Sequence, residues 1–168
     1  VIRGIGEVRW PSRMEVLLRD GPVLLVDGAH NPYSVKCLVQ AVRDYFQYQK
    51  LYLIFGTLLG HSIKGMISEF VDLSPSVLAV RSRHPRSASS SIISHEIWKS
   101  GLSVVYQGEH VGESTRRALE MAGSRDLVLC TGSLSVAAEV TEEIRGIKAE
   151  RYQYIKKPGC KKRNVQGL

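Results

Sequence analysis

The residues best equipped for chemistry lie at the end of one apolar run, Val23-Leu24-Leu25-Val26-Asp27-Gly28-Ala29-His30-Asn31-Pro32. Asn31 has the chemistry of a helix N-cap, and Pro32 suits the first helical position, where its missing N–H is no loss. The pattern therefore predicts a strand, a sharp turn and a helix. In open α/β sheets, ligands bind beyond the carboxyl ends of strands, and a helix amino terminus offers N–H groups and partial positive charge to anions. Asp27 and His30 thus stand where a nucleotide would lie. The same residues allow a plainer reading, since Asp-Gly is a common turn dipeptide and a lone loop histidine is ordinarily solvated.

What must position these residues is a series of short apolar runs alternating with amphipathic stretches from Met14 to about Ile144. That series predicts an α/β, Rossmann-like, mostly parallel sheet of about six strands with helices on both faces. The expected strands are Glu15 to Leu18, Val23 to Val26, Leu51 to Phe55, Val77 to Val80, Ser103 to Tyr106 and Leu127 to Cys130. Most lack strict alternation, as strands covered on both faces do. Val35, Leu38, Val39, Val42 and Phe46 form one stripe of a helix from Pro32 to Phe46. Further helices are expected over Ile63 to Val71, Ser90 to Lys99, Gly112 to Ala122 and Leu134 to Ile144. Trp98 falls in a helical stripe and reads as core or partial core. Arg81 to Ser91 reads as a polar loop that caps the next helix.

The chain has 168 residues, 43% hydrophobic and 23% charged, which fits one compact domain. No apolar run is long enough to cross a bilayer, and nothing near Val1 has the order of a signal peptide. We expect a cytoplasmic protein whose chain begins inside a longer one. Cys37, Cys130 and Cys160 have no metal-ligand spacing, so no metal site is expected in these residues; two lie in apolar segments, where a reduced, buried thiol is expected. Of the net charge of +7, residues 148–168 hold +6, from seven Lys or Arg against Glu150, leaving +1 for residues 1–147. We therefore expect a domain over 1–147 and a basic, disordered tail over 148–168.

Three segments in order, Trp10-Pro11-Ser12-Arg13-Met14-Glu15, Asp27-Gly28-Ala29-His30-Asn31-Pro32 and Leu127-Val128-Leu129-Cys130-Thr131-Gly132-Ser133-Leu134, resemble the motifs of the carboxyl-terminal domain of folylpolyglutamate synthases and dihydrofolate synthases, a branch of the Mur ligase superfamily. The resemblance runs through Phe55-Gly56, Ile63-Lys64-Gly65-Met66 and Pro85-Arg86, and covers roughly residues 7 to 145. Ser12 stands where such proteins often have Gly and Ser135 where they often have Tyr. Gly60-His61-Ser62 replaces a common Lys-Asp pair.

The resemblance implies an ATP-dependent ligase that phosphorylates a folate carboxylate and lets L-glutamate attack the acyl phosphate. Such catalysis rests on positioning and on neutralising phosphate charge. No G-x-x-x-x-G-K-[ST] sequence occurs in these residues. By resemblance, the phosphate loop, the magnesium ligands and a modified lysine belong to a larger amino-terminal ATPase domain, the expected partner, and this chain alone is expected to be inactive. The resemblance makes Arg13 and Asp27 nucleotide contacts, places His30 near the phosphate and the entering glutamate, and lets Ser133 hold the glutamate. On residue types alone, Arg13 reads first as a surface arginine in a salt bridge, and Ser133 also as an N-cap.

His61, His84, His95 and His110 are scattered and read as solvated or locally bonded residues. Trp10, beside Pro11, suits a domain junction. Competing readings are a peptidoglycan-building Mur ligase, which shares the fold, a nucleic-acid-binding module using the basic tail, and a pure docking domain. The tail has only Tyr152 and Tyr154 as aromatics, too few for a stacking platform, so nucleic acid is not the expected partner.

Overall fold

Short runs of Val, Leu and Ile bounded by turn residues pair into one sheet when both of their faces can be covered. The computed structural model describes residues 10–149. It contains β1 (Glu15–Leu18), β2 (Val23–Val26), α1 (Pro32–Tyr45), β3 (Leu51–Phe55), α2 (Ile63–Ser68), β4 (Ser76–Val80), α3 (Ser90–Lys99), β5 (Ser103–Gly108), α4 (Val111–Met121), β6 (Leu127–Thr131) and α5 (Leu134–Arg145). The six strands lie in the order β1-β2-β6-β3-β4-β5. All neighbours are parallel except β1, which pairs antiparallel with β2 at the edge.

Alternate strand residues feed two cores. Leu25, Leu53, Phe55, Val77, Ala79 and Leu129 pack with Val35 and Val42 of α1, Met66 and Ile67 of α2, and Ile93 and Ile97 of α3. Leu24, Val26, Ile54, Leu78, Val128 and Cys130 pack with Val111 and Ala118 of α4 and Val136 and Val140 of α5. Each Val, Leu, Ile, Phe or Met among them, fully buried, contributes about 1.5–3 kcal/mol of transfer free energy. The α/β expectation is met, with helices on both faces.

The chain returns from β5 through α4 on the second face and inserts β6 between β2 and β3, whose own helices lie on the first. The strand order therefore reverses there, and a crevice opens beyond the carboxyl ends of β2, β6 and β3. Close backbone approach at this insertion explains two glycines. A Cβ on Gly56 would meet the Val80 carbonyl oxygen at 2.6 Å. Gly132 has φ +104°, and a Cβ there would sit 2.6 Å from the Gly56 carbonyl oxygen.

Several expectations need correction. The helix after β3 stops at Ser68, not Val71; the Glu69 and Phe70 N–H groups bond three residues back, to Met66 and Ile67, and a 3-10 turn follows at Val71–Leu73. This tightening turns Phe70 into the core. Trp98 is not core: α3 buries Ser90, Ile93 and Ile97, and Trp98, one residue further round, is 72% exposed and stacks on His95. Cys37 is likewise exposed, whereas Cys130 is buried and its thiol is pushed far up by burial, with Asp27 and Glu139 adding to it. Cys160 and the tail beyond Ala149 lie outside the described residues. Among the described residues no helix is long and apolar enough to cross a membrane.

Gly132→Ala should lower the unfolding free energy by about 2–4 kcal/mol, combining left-handed strain with overpacking. Urea denaturation of the 168-residue chain measures it, and a loss under about 0.5 kcal/mol, the scale of an ordinary surface change, would contradict the close approach described.

Candidate active site

The turn after β2 is built on a carboxylate. Asp27, 7% exposed, accepts from the Ala29 N–H through Oδ1 at 2.8 Å and from the Met14 N–H through Oδ2 at 2.9 Å. The Gly28 N–H donates to the Ser12 carbonyl at 2.8 Å. Asp27 thereby ties the turn before β1 to the end of β2. That turn holds Ser12 at φ +59° and Met14 at φ +45°, conformations that cost an L-residue about 1–2 kcal/mol each. Arg13, between them, is exposed and has no ion-pair partner among the described residues.

Asn31 caps α1 as its sequence suggests. Its side chain accepts from the Ser34 N–H at 2.9 Å, while Ser34 Oγ accepts from the Asn31 and His30 N–H groups, both at 3.2 Å. Pro32 occupies the first turn. His30 is held between the cap and the Asp27 turn. Its Nδ1 lies 2.9 Å from the Gly28 carbonyl, which can only accept, so Nδ1 carries the proton and Nε2 presents a lone pair when the ring is neutral.

His30 opens into a cleft of about 410 Å³ lined by His30, Leu58, His61, His84, Ser133, Leu134, Ser135 and Ala138. The lining comes from the carboxyl ends of β2, β3, β4 and β6, where the reversal in strand order predicts a site. His61 faces His30 with ring centroids 5.6 Å apart. Burial lowers the His61 pKa, and the charges of His30 and Arg86 lower it further. His84 is lowered by burial and then by Arg86, whose backbone N–H donates to His84 Nδ1 at 3.1 Å.

Ser133, 2% exposed, caps α5 by accepting from the Val136 N–H at 3.2 Å. Its own proton goes to the Gly56 carbonyl at 3.1 Å. Ser133 Oγ then receives from Ser135 Oγ, and Ser135 Oγ from Ser82 Oγ, each at 3.1 Å, because each hydroxyl has one proton to give. With Val136 satisfied, the first-turn N–H groups of Leu134 and Ser135, two residues of the cleft lining, are left without an intrahelical acceptor.

The structure thus brings His30 and Ser133 together in one cleft, sets Asp27 directly behind it as a brace, and leaves Arg13 on the neighbouring turn. It adds His61 and His84, which the sequence reading left among scattered histidines; His95 and His110 stay outside. The available signal was position: His61 and His84 each follow a predicted strand end, as His30 does. Among the described residues no group of three or more His, Cys, Asp or Glu side chains converges to hold a metal ion.

Known proteins agree with this architecture. The protein-family model for the Mur ligase, glutamate ligase domain matches residues 12–134. A probable bifunctional folylpolyglutamate synthase/dihydropteroate synthase of Haloferax volcanii is 31% identical over 137 residues, covering 82% of this chain and 16% of that protein. The structure of E. coli FolC in complex with DHPP and ADP aligns with a TM-score of 0.75 at 21% identity, covering 87% of this chain and 34% of that one. A bifunctional folylpolyglutamate synthase/dihydrofolate synthase with Mn, AMPPNP and L-glutamate bound aligns with a TM-score of 0.72 at 24% identity, covering 83% of this chain and 32% of that one. This chain therefore spans about a third or less of the length of each. The solved structures share its fold, and the match over 12–134 takes in the Arg13 turn, the Asp27–His30 turn and the start of α5: the chain belongs to the Mur ligase, glutamate ligase domain family.

Proposed function

We propose that this chain is the carboxyl-terminal domain of a cytoplasmic ATP-dependent ligase that adds L-glutamate to folate through an acyl phosphate. The observation that carries the reading is the pairing, across one cleft, of the His30 Nε2 lone pair with the amino terminus of α5. In such a reaction the amine of glutamate attacks the acyl carbon, phosphate leaves, and the nitrogen must lose a proton. His30 Nε2 accepts that proton, since its Nδ1–H is committed to Gly28. The N–H groups of Leu134 and Ser135, on the positive end of the α5 dipole, bind the glutamate carboxylate or the departing phosphate.

Ser133 acts in this scheme by holding that helix end in place, as its hydroxyl proton is already donated. Arg13 reaches across to ATP oxygens with a planar, permanently charged fork. Asp27 keeps one lone pair on each oxygen for a ribose hydroxyl while bracing the turn that carries Arg13. ATP supplies the activating phosphoryl group. Its phosphate loop and magnesium ligands would come from an amino-terminal ATPase partner domain. The exposed apolar side chains Tyr33, Leu59 and Leu134, which stand at or within a few residues of the cleft lining, and Trp10, beside the Ser12 turn, suit docking to such a domain.

Joined to an upstream phosphate-loop domain, the chain should support ATP- and L-glutamate-dependent amide synthesis, and alone it should support none. His30→Ala in that two-domain protein should cut kcat/KM at least tenfold, a barrier change of about 1.4 kcal/mol. A fully active variant would remove His30 from the chemistry. Asp27→Asn keeps the shape but turns one acceptor into a donor facing an N–H, so stability should fall by about 1–3 kcal/mol together with the rate. Thermal unfolding beside the rate assay checks this, and unchanged stability would deny Asp27 its bracing role.

A further inference from the structure

The cleft holds a second imidazole that the ligase reading does not use. His61 sits in the loop between β3 and α2, and that loop is tightly fastened. The Leu59 N–H donates to the Arg86 carbonyl at 2.7 Å, the Ala88 N–H to the Thr57 carbonyl at 2.9 Å, and the His61 N–H to the Leu58 carbonyl at 3.3 Å. The ring is fixed too, because its Nδ1 lies 3.1 Å from Thr57 Oγ1.

Thr57 is fully buried, at 0% exposure. Among the described residues its hydroxyl has one hydrogen-bonding partner, His61 Nδ1. A buried hydroxyl proton without an acceptor costs about 1–3 kcal/mol, so Thr57 donates and Nδ1 accepts. A neutral His61 must then carry its proton on Nε2, which has no partner among the described residues. Burial and the nearby His30 and Arg86 keep the ring neutral near pH 7. His30 has the opposite tautomer, with Nδ1–H given to Gly28 and a lone pair on Nε2. Two rings 5.6 Å apart thus present a donor and an acceptor to one space.

We propose that His61 is a further substrate-binding residue, donating from Nε2 to an anionic oxygen of the ligand while His30 accepts from the amine. The assignment deepens the ligase reading and rests on it for the ligand. A zwitterionic amino acid matches the pair: its ammonium meets the lone pair and its carboxylate meets the donor. A phosphoryl oxygen would satisfy the same donor, so the experiment separates the two sources.

Long-range ¹H–¹⁵N spectra of the 168-residue chain at pH 8 should show His61 as the Nε2–H tautomer and His30 as the Nδ1–H tautomer. Thr57→Val, which removes the hydroxyl with little change of shape, should release His61 into a mixture. His61 found as the Nδ1–H tautomer in the unsubstituted chain overturns the proposal. In the two-domain ligase, His61→Ala should raise a KM roughly tenfold, the loss of one hydrogen bond to a charged group, with kcat within about twofold. A change in KM for L-glutamate assigns the carboxylate, and one in KM for ATP assigns the phosphoryl oxygen. His61→Gln, which keeps an N–H at similar reach, should recover part of the loss. Amide synthesis by the unsubstituted ligase with both KM values unmoved in His61→Ala sinks this assignment and leaves the ligase reading standing. No synthesis by the unsubstituted ligase sinks that reading and the ligand assigned here with it.

Discussion

The carboxylate of Asp27, accepting from Met14 on one side and Ala29 on the other, is the contact through which the edge of the sheet and the candidate site are joined. Without it, the buried Ala29 N–H and the half-buried Met14 N–H would lack acceptors, and the left-handed Met14 would lose its side-chain anchor. The brace is reinforced from the far end of the chain, where Arg145 pairs with Glu15 and Glu15 accepts from the Ser12 N–H. One acid therefore sets where Arg13 projects and how the turn bearing His30 leaves β2.

The crevice itself follows from strand order. Because β6 enters between β2 and β3, with its following helix on the opposite face, the loops after those strands diverge and leave space at their ends. The insertion demands close backbone contact, which is why Gly56 and Gly132 meet with no room for a Cβ. Apolar burial on two faces holds the strands there, and the polar groups at their ends are satisfied locally. Ser82, Ser135, Ser133 and the Gly56 carbonyl form one directed chain of hydrogen bonds that anchors the start of α5.

The same accounting of donors and acceptors gives the cleft its chemistry. Gly28 offers His30 a carbonyl, which places that ring's proton on Nδ1, and the buried Thr57 hydroxyl, whose proton needs an acceptor, favours the opposite tautomer in His61. The two rings thereby present one acceptor and one donor to the same space. Backbone and second-residue contacts, rather than the imidazoles themselves, decide which ring accepts and which donates.

Much of this was legible in the residues because its causes are local. Apolar runs gave four-to-six-residue strands almost to their ends, and Asn31 and Pro32 mark the start of α1, where the cap they predict forms. Asp27 and His30 could be singled out because a strand, a turn and a helix start are short-range patterns. Trp98 and Cys37 could not be placed that way, since one residue's rotation about a helix axis separates core from solvent and periodicity alone does not fix which stripe faces the sheet. His61 and His84 reach the cleft only because β6 draws β2 and β3 apart while β3 and β4 stay paired, a matter of long-range strand order. Tautomers lie further still from the linear sequence: they depend on which carbonyl or hydroxyl the fold brings within 3.1 Å of a ring nitrogen.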